Sequence, residues 1–94
     1  MEINREESEG KGKFFIEENG KQLALMTYKK SGEDKIVIDH TEVDDSLQGE
    51  GIGKDLVEAG VKFARQNNLK IVPVCEFAKK VIDETPEFQD VSSA

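Results

Sequence analysis

One cysteine, one histidine and a run of eight residues with three glycines at alternate positions are the parts of this 94-residue chain with chemistry to offer. The run is Leu47-Gln48-Gly49-Glu50-Gly51-Ile52-Gly53-Lys54. It stands between a β-branched segment and a segment of helical periodicity. In that order the loop amides and the positive end of the helix dipole converge on one point, which attracts an anion. Phosphate is the natural guest, because its oxygens must come close to the main chain and a Cβ obstructs them. A tight strand-to-helix turn without a ligand uses glycine for the same freedom, so the run alone leaves both readings open. Cys75 falls where a short apolar strand meets a second helix. A thiolate is stabilised there and can act as a nucleophile, whereas an isolated cysteine is otherwise a small core hydrophobe. Histidine is the usual general base near neutral pH. Alternation along its strand, however, places His40 on the face of Ile36 and Ile38, where a packed, hydrogen-bonded ring is expected. Glu42 shares that alternation and is a second candidate for taking a proton from an ammonium group. Zinc-type spacing and paired catalytic carboxylates give no specific signal, so no metal is expected.

The elements that must position these residues can be read from turn signals and periodicity. Residues 1–12 are rich in Glu, Gly and Ser without periodicity, and a flexible tail is expected there, followed by a single domain over 13–94. Phe14-Phe15-Ile16 meets Asn19-Gly20, a strong hairpin signal, and Leu23 to Tyr28 forms the return strand. A turn at Ser31-Gly32-Glu33-Asp34 leads into Lys35 to Val43, which completes an antiparallel three-stranded meander. Ile52, Leu56, Val57, Gly60, Phe63 and Ala64 recur at helical spacing, and Asn67-Asn68 supplies a left-handed stop. Leu69 to Cys75 reads as a fourth strand, parallel to the third because a helix separates them. Pro73 cannot donate to a ladder, so a gap beside this strand is expected. Phe77, Ala78, Val81 and Ile82 mark a second main helix, ended before Pro86, with Phe88 and Val91 as a closing segment.

Composition limits what such a domain can do. With 36% hydrophobic residues in 94, there is core enough for one small domain and no more. The net charge of −7 repels a phosphate backbone, which argues against nucleic acid as a partner. The charge is uneven: residues 1–47 hold 7 Lys and Arg against 12 Asp and Glu, residues 48–94 hold 6 against 8. An anionic ligand is better tolerated by the second half. A single cysteine forms no internal disulfide, and no stretch approaches a membrane span, so a soluble, cytoplasmic protein without a membrane partner is expected.

The loop is neither a Walker sequence, since no Gly-Lys-Ser/Thr occurs, nor a dinucleotide fingerprint, since three antiparallel strands precede it. Gln48-x-x-Gly51-x-Gly53 instead resembles the Q/R-x-x-G-x-G/A signature of the GNAT superfamily of N-acetyltransferases. Asp39-His40-Thr41-Glu42-Val43, Val72-Pro73-Val74-Cys75-Glu76-Phe77 and Pro86-Glu87-Phe88 resemble, in order and spacing, the very small YjdJ-type members, over residues 13–91. One departure is Thr85, where a histidine would precede the late proline, so no role of that histidine carries over. The resemblance implies the α/β GNAT-like (acyl-CoA N-acyltransferase) fold and acetyl-CoA or coenzyme A as co-substrate. It places the coenzyme on Gln48, Gly49, Glu50, Gly51, Ile52, Gly53 and Lys54, with Lys79 or Lys80 near its phosphates. The pantetheine arm would lie against the main chain of Thr41, Glu42 and Val43, and Cys75 beside the acetyl group. The function implied is acetyl transfer to an unidentified amine, either direct or assisted by Cys75, with His40 and Glu42 as further catalytic candidates from their residue types. The alternative is a slow or non-catalytic module that holds coenzyme A or an acyl-CoA. A monomer or weak dimer is expected.

Overall fold

In the computed structural model, residues 2–93 are described. Five strands lie in one sheet in chain order: β1 (Asn4–Ser8), β2 (Lys11–Glu18), β3 (Lys21–Ser31), β4 (Lys35–Val43) and β5 (Lys70–Pro73). The first four are antiparallel and β5 joins β4 in parallel, with Lys35 opposite Lys70 and Ile38 opposite Pro73. Helix α1 (Ile52–Gln66) makes the crossover, and α2 (Glu76–Glu84) follows β5. A 3-10 segment, Pro86–Val91, closes the chain by burying Phe88 and Val91. The hairpin at Asn19-Gly20 has both residues at positive φ, 52° and 79°, the geometry of a two-residue primed turn. Asn68, with φ of 55°, ends α1 as its composition predicts.

The sheet has one strand more than expected. Residues 4–8, assigned above to a flexible tail, pair with β2 through a turn at Glu9-Gly10, while Met1 lies outside the described residues. The strand shows no apolar pattern because charged side chains anchor it. Arg5 Nη1 donates to the Tyr28 hydroxyl at 2.9 Å, and that hydroxyl donates to Glu7 Oε1 at 2.8 Å. The Arg5 guanidinium also lies 4.4 Å from the centre of the Phe63 ring.

Both helices cover the same face of the sheet. Met26, Tyr28, Ile36, Ile38, Leu56, Val57, Val61, Ile71 and Ile82 form one fully buried core between them. On β4 the alternation is reset. Tyr28 pairs with Ile38 and Thr27 with His40, so Asp39 is an extra residue, a β-bulge, held by a 2.5 Å hydrogen bond from the Thr27 hydroxyl to Asp39 Oδ1. Before the bulge Ile36 and Ile38 face the helices; after it Thr41 and Val43 do, opposite Met26 and Ala24. His40 and Glu42 therefore fall on the other face, with Thr27 and Leu25. The packed histidine expected from simple alternation is in fact exposed, its Nε2 3.4 Å from Glu42 Oε1.

Candidate active site

Pro73 ends β5, and the amides of Val74 and Cys75 both donate to the Ile38 carbonyl at 3.0 Å. Beyond that point β4 runs on to Val43 with no ladder partner on its β5 side, because the chain of β5 has turned into α2. The gap that Pro73 foretold opens there. It continues into a cleft of about 530 Å³ bounded by Thr41 and Val43 of β4, the glycine loop and first turn of α1, and the outer face of α2. Another depression, over the β1–β2 hairpin, is more open and lined mainly by Glu6, Glu7, Lys11 and Lys13.

The loop presents bare amides at the cleft. Gly51 caps α1 with φ of 73°, a left-handed conformation that a Cβ disfavours, and no side chain caps the helix in its place. The first helical amides have no intrahelical acceptor, and Ile52 and Gly53 line the cleft. Gly53 serves a different purpose, since a Cβ on it would lie 2.6 Å from Phe77 Cζ. Its bareness lets the Phe77 ring of α2 rest on the first turn of α1. Gln48 Nε2 donates to the Val43 carbonyl at 3.0 Å and ties the loop to the end of β4. Lys54 and Lys80 bring positive charge to the cleft, Glu84 brings one negative charge, and Val43, Phe77 and Val81 form its apolar wall. Free amides and lysines beside an apolar channel match a ligand with an anionic end and a hydrocarbon-like arm.

The thiol lies just behind this wall. Cys75 is the N-cap residue of α2, half-buried, with Sγ 3.5 Å from the Thr41 hydroxyl. Its side chain makes no direct capping hydrogen bond. Burial pushes the thiol up, but the Thr41 hydroxyl and the amides of Ala78 and Phe77 at the helix start outweigh it, leaving its pKa below the ordinary thiol value.

Of the residues singled out from the sequence, Thr41, Val43, Gln48, Gly49, Gly51, Ile52, Gly53 and Lys54 meet in the cleft, and Cys75 adjoins it through Thr41. Glu50 is exposed at the rim. His40 and Glu42 are on the opposite face of β4. Lys79 points along α2 to an ion pair with Asp83 at 2.9 Å, outside the cleft, and Lys80 stands in its place. Phe77 and Val81, read from the sequence only as markers of the second helix, both line the cleft with Glu84, and Phe77 is 42% exposed. The signal was available, because residues 77, 81 and 84 share one helix face beside that of Ala78 and Ile82. Among the described residues no cluster of three His, Cys, Asp or Glu is arranged as a metal site, and no helix is long and apolar enough to cross a membrane.

A strand that parts from its parallel neighbour opposite a glycine loop at a helix start defines a mixed α/β protein of the GNAT fold. Comparison with known proteins agrees: the chain belongs to the GCN5-related N-acetyl-transferase family, whose sequence profile matches residues 13–91. A GCN5-like protein from Staphylococcus aureus, solved by NMR, is 43% identical with a TM-score of 0.72, covering 97% of this chain and 86% of its own. Protein NATD1 from Homo sapiens is 31% identical over 85 residues, which are 89% of this chain and 75% of that protein. A GNAT family acetyltransferase from Elizabethkingia anophelis with acetyl-CoA bound shares the fold at 17% identity and a TM-score of 0.59, over 68% of this chain and 42% of its own.

Proposed function

We propose that this chain binds acetyl-CoA in the cleft and transfers the acetyl group to an amine, with Cys75 as the first acceptor. The observation that carries the reading is that the cleft runs from the bare amides around Gly51 to Thr41, whose hydroxyl is 3.5 Å from Cys75 Sγ. The coenzyme's pyrophosphate is assigned to the amides of Gly49 to Gly53, with Lys54 and Lys80 beside it. The pantetheine arm follows Val43, Phe77 and Val81, which brings the thioester to the parting of β4 and β5. There the Cys75 thiolate attacks the thioester carbonyl, the C–S bond to the coenzyme breaks, and the departing thiolate takes up a proton. A neutral amine then attacks the acetyl-cysteine, giving the amide, a proton and the Cys75 thiolate again. His40 and Glu42 suit deprotonation of an acceptor only if it arrives from the face of the sheet that the helices leave open.

That position also favours a second reading, a coenzyme A or acyl-CoA module with little turnover, since the cleft itself contains neither base candidate. The same experiment separates the two. Incubation with acetyl-CoA followed by intact-mass measurement is expected to show one added acetyl group, absent from Cys75→Ala, while calorimetry finds coenzyme A affinity retained in the variant. Transfer to a panel of amines should fall about a hundredfold in Cys75→Ala, or about 2.7 kcal/mol of transition-state stabilisation. Full transfer by the variant rejects the covalent role, and binding without any transfer by the wild type selects the module.

A further inference from the structure

We infer that Thr41 is a positioning residue for the Cys75 thiol, held against it by the bulge at Asp39; the inference rests on the covalent reading above for its role in transfer but not for its test. The geometry is specific. Were β4 to run through Asp39 in unbroken alternation, the side chain facing α2 at this level would be His40; because Asp39 is bulged out, a hydroxyl stands 3.5 Å from Sγ and also lines the cleft. Thr41 is half-buried in a strand, and its β-branch restricts χ1, so the hydroxyl oxygen is fixed while its hydrogen remains free to turn. Against a neutral thiol the oxygen accepts the S–H hydrogen bond. Once the thiol ionises, the O–H swings round and donates to the thiolate. One side chain thus partners sulfur in both states that a nucleophile must pass through, and keeps it at the same place beside the cleft.

No ionised side chain takes part in this arrangement. The groups acting on the thiol are burial, the Thr41 hydroxyl and main chain, and the Ala78 and Phe77 amides. On β4, Asp39 is engaged with Thr27, and His40 and Glu42 pair with each other on the far face. On α2, Glu76 is exposed, Lys79 is paired with Asp83, and Lys80 and Glu84 lie with the cleft.

Because Cys75 is the sole cysteine, alkylation of the full chain by iodoacetamide reads this thiol alone. The rate is followed against pH for wild type, Thr41→Val and Thr41→Ser, each checked for folding by circular dichroism. Removal of the hydroxyl in Thr41→Val is expected to raise the midpoint of the profile by about one pH unit, slowing alkylation near neutral pH about tenfold. Thr41→Ser should stay close to wild type, which a purely structural role for the methyl group does not predict. If Thr41→Val does not fold, Thr41→Ala compared with Thr41→Ser gives the same contrast. Coincident profiles for wild type and the variant lacking the hydroxyl overturn the inference. A shifted profile in a protein that never forms acetyl-Cys75 supports it and overturns the covalent transfer instead.

Discussion

Gly51 and Gly53 look equivalent in the sequence and answer to different physics. At Gly53 the obstacle is the Phe77 ring. Gly53→Ala is expected to destabilise the domain by about 1–3 kcal/mol through overpacking, and Phe77→Leu should recover part of that loss. At Gly51 nothing stands within 4 Å of a would-be Cβ, and the cost lies in the backbone alone, with φ at 73°. Gly51→Ala should cost about 1–2 kcal/mol whatever residue occupies position 77. Urea unfolding of both double-mutant cycles checks this: coupling is expected for the 53–77 pair and additivity for the 51–77 pair. The alternate glycines were legible as a tight strand-to-helix turn because the reason lies in adjacent residues. The purpose of Gly53 was not, because it depends on a side chain brought in by another helix.

At the scale of elements, the meander, both helices and the parallel strand followed from turn residues and periodicity, and even the gap beside β5 followed from Pro73. Strand β1 did not. Its main-chain ladder with β2 and its polar contacts to Tyr28 leave no periodic trace. Glu7 is held below the usual carboxylate range, first by the Tyr28 hydroxyl and further by Lys30 and Arg5, against an opposing effect of burial. Tyr28→Phe removes the principal donor and is expected to cost about 1 kcal/mol at pH 7. A carboxylate whose pKa is lowered by folding stabilises the native state above its unfolded pKa, and that contribution disappears as pH falls through the folded value. The difference between wild type and Tyr28→Phe should therefore be full at pH 7 and shrink below about pH 4. Denaturant unfolding at both pH values measures it. A gap unchanged by acid would show that Tyr28 acts through packing rather than through Glu7.

For the molecule as a whole, a thin core makes ligand binding a large fraction of stability. At coenzyme A concentrations about a hundred times the dissociation constant, the proposed binding adds about 2.7 kcal/mol. In a domain of this size that raises the melting temperature by about 10 °C or more. Differential scanning fluorimetry should find the rise in wild type and Cys75→Ala and lose it in Gly51→Val, where a branched side chain intrudes on the loop. An equal rise in Gly51→Val would move the ligand away from the loop amides. The net charge of −7 gives no hint of the proposed anion site, because the favourable charge there is local, supplied by two lysines and a helix start within an acidic whole.

The extra residue at Asp39 has a consequence for comparing and editing such chains. A line of side chains that alternates inside and outside is normally unforgiving, since adding or removing one link turns every later residue over. Asp39 is slack in that line. A chain shortened by one at this point can straighten its bulge and still present Thr41 and Val43 to the cleft, whereas a deletion between Thr41 and Val43 would bring in the wrong partners. Relatives whose sequences differ in length by one residue here are thus expected to share a cleft lining. Those whose length differs farther along the strand are not, however similar their remaining letters.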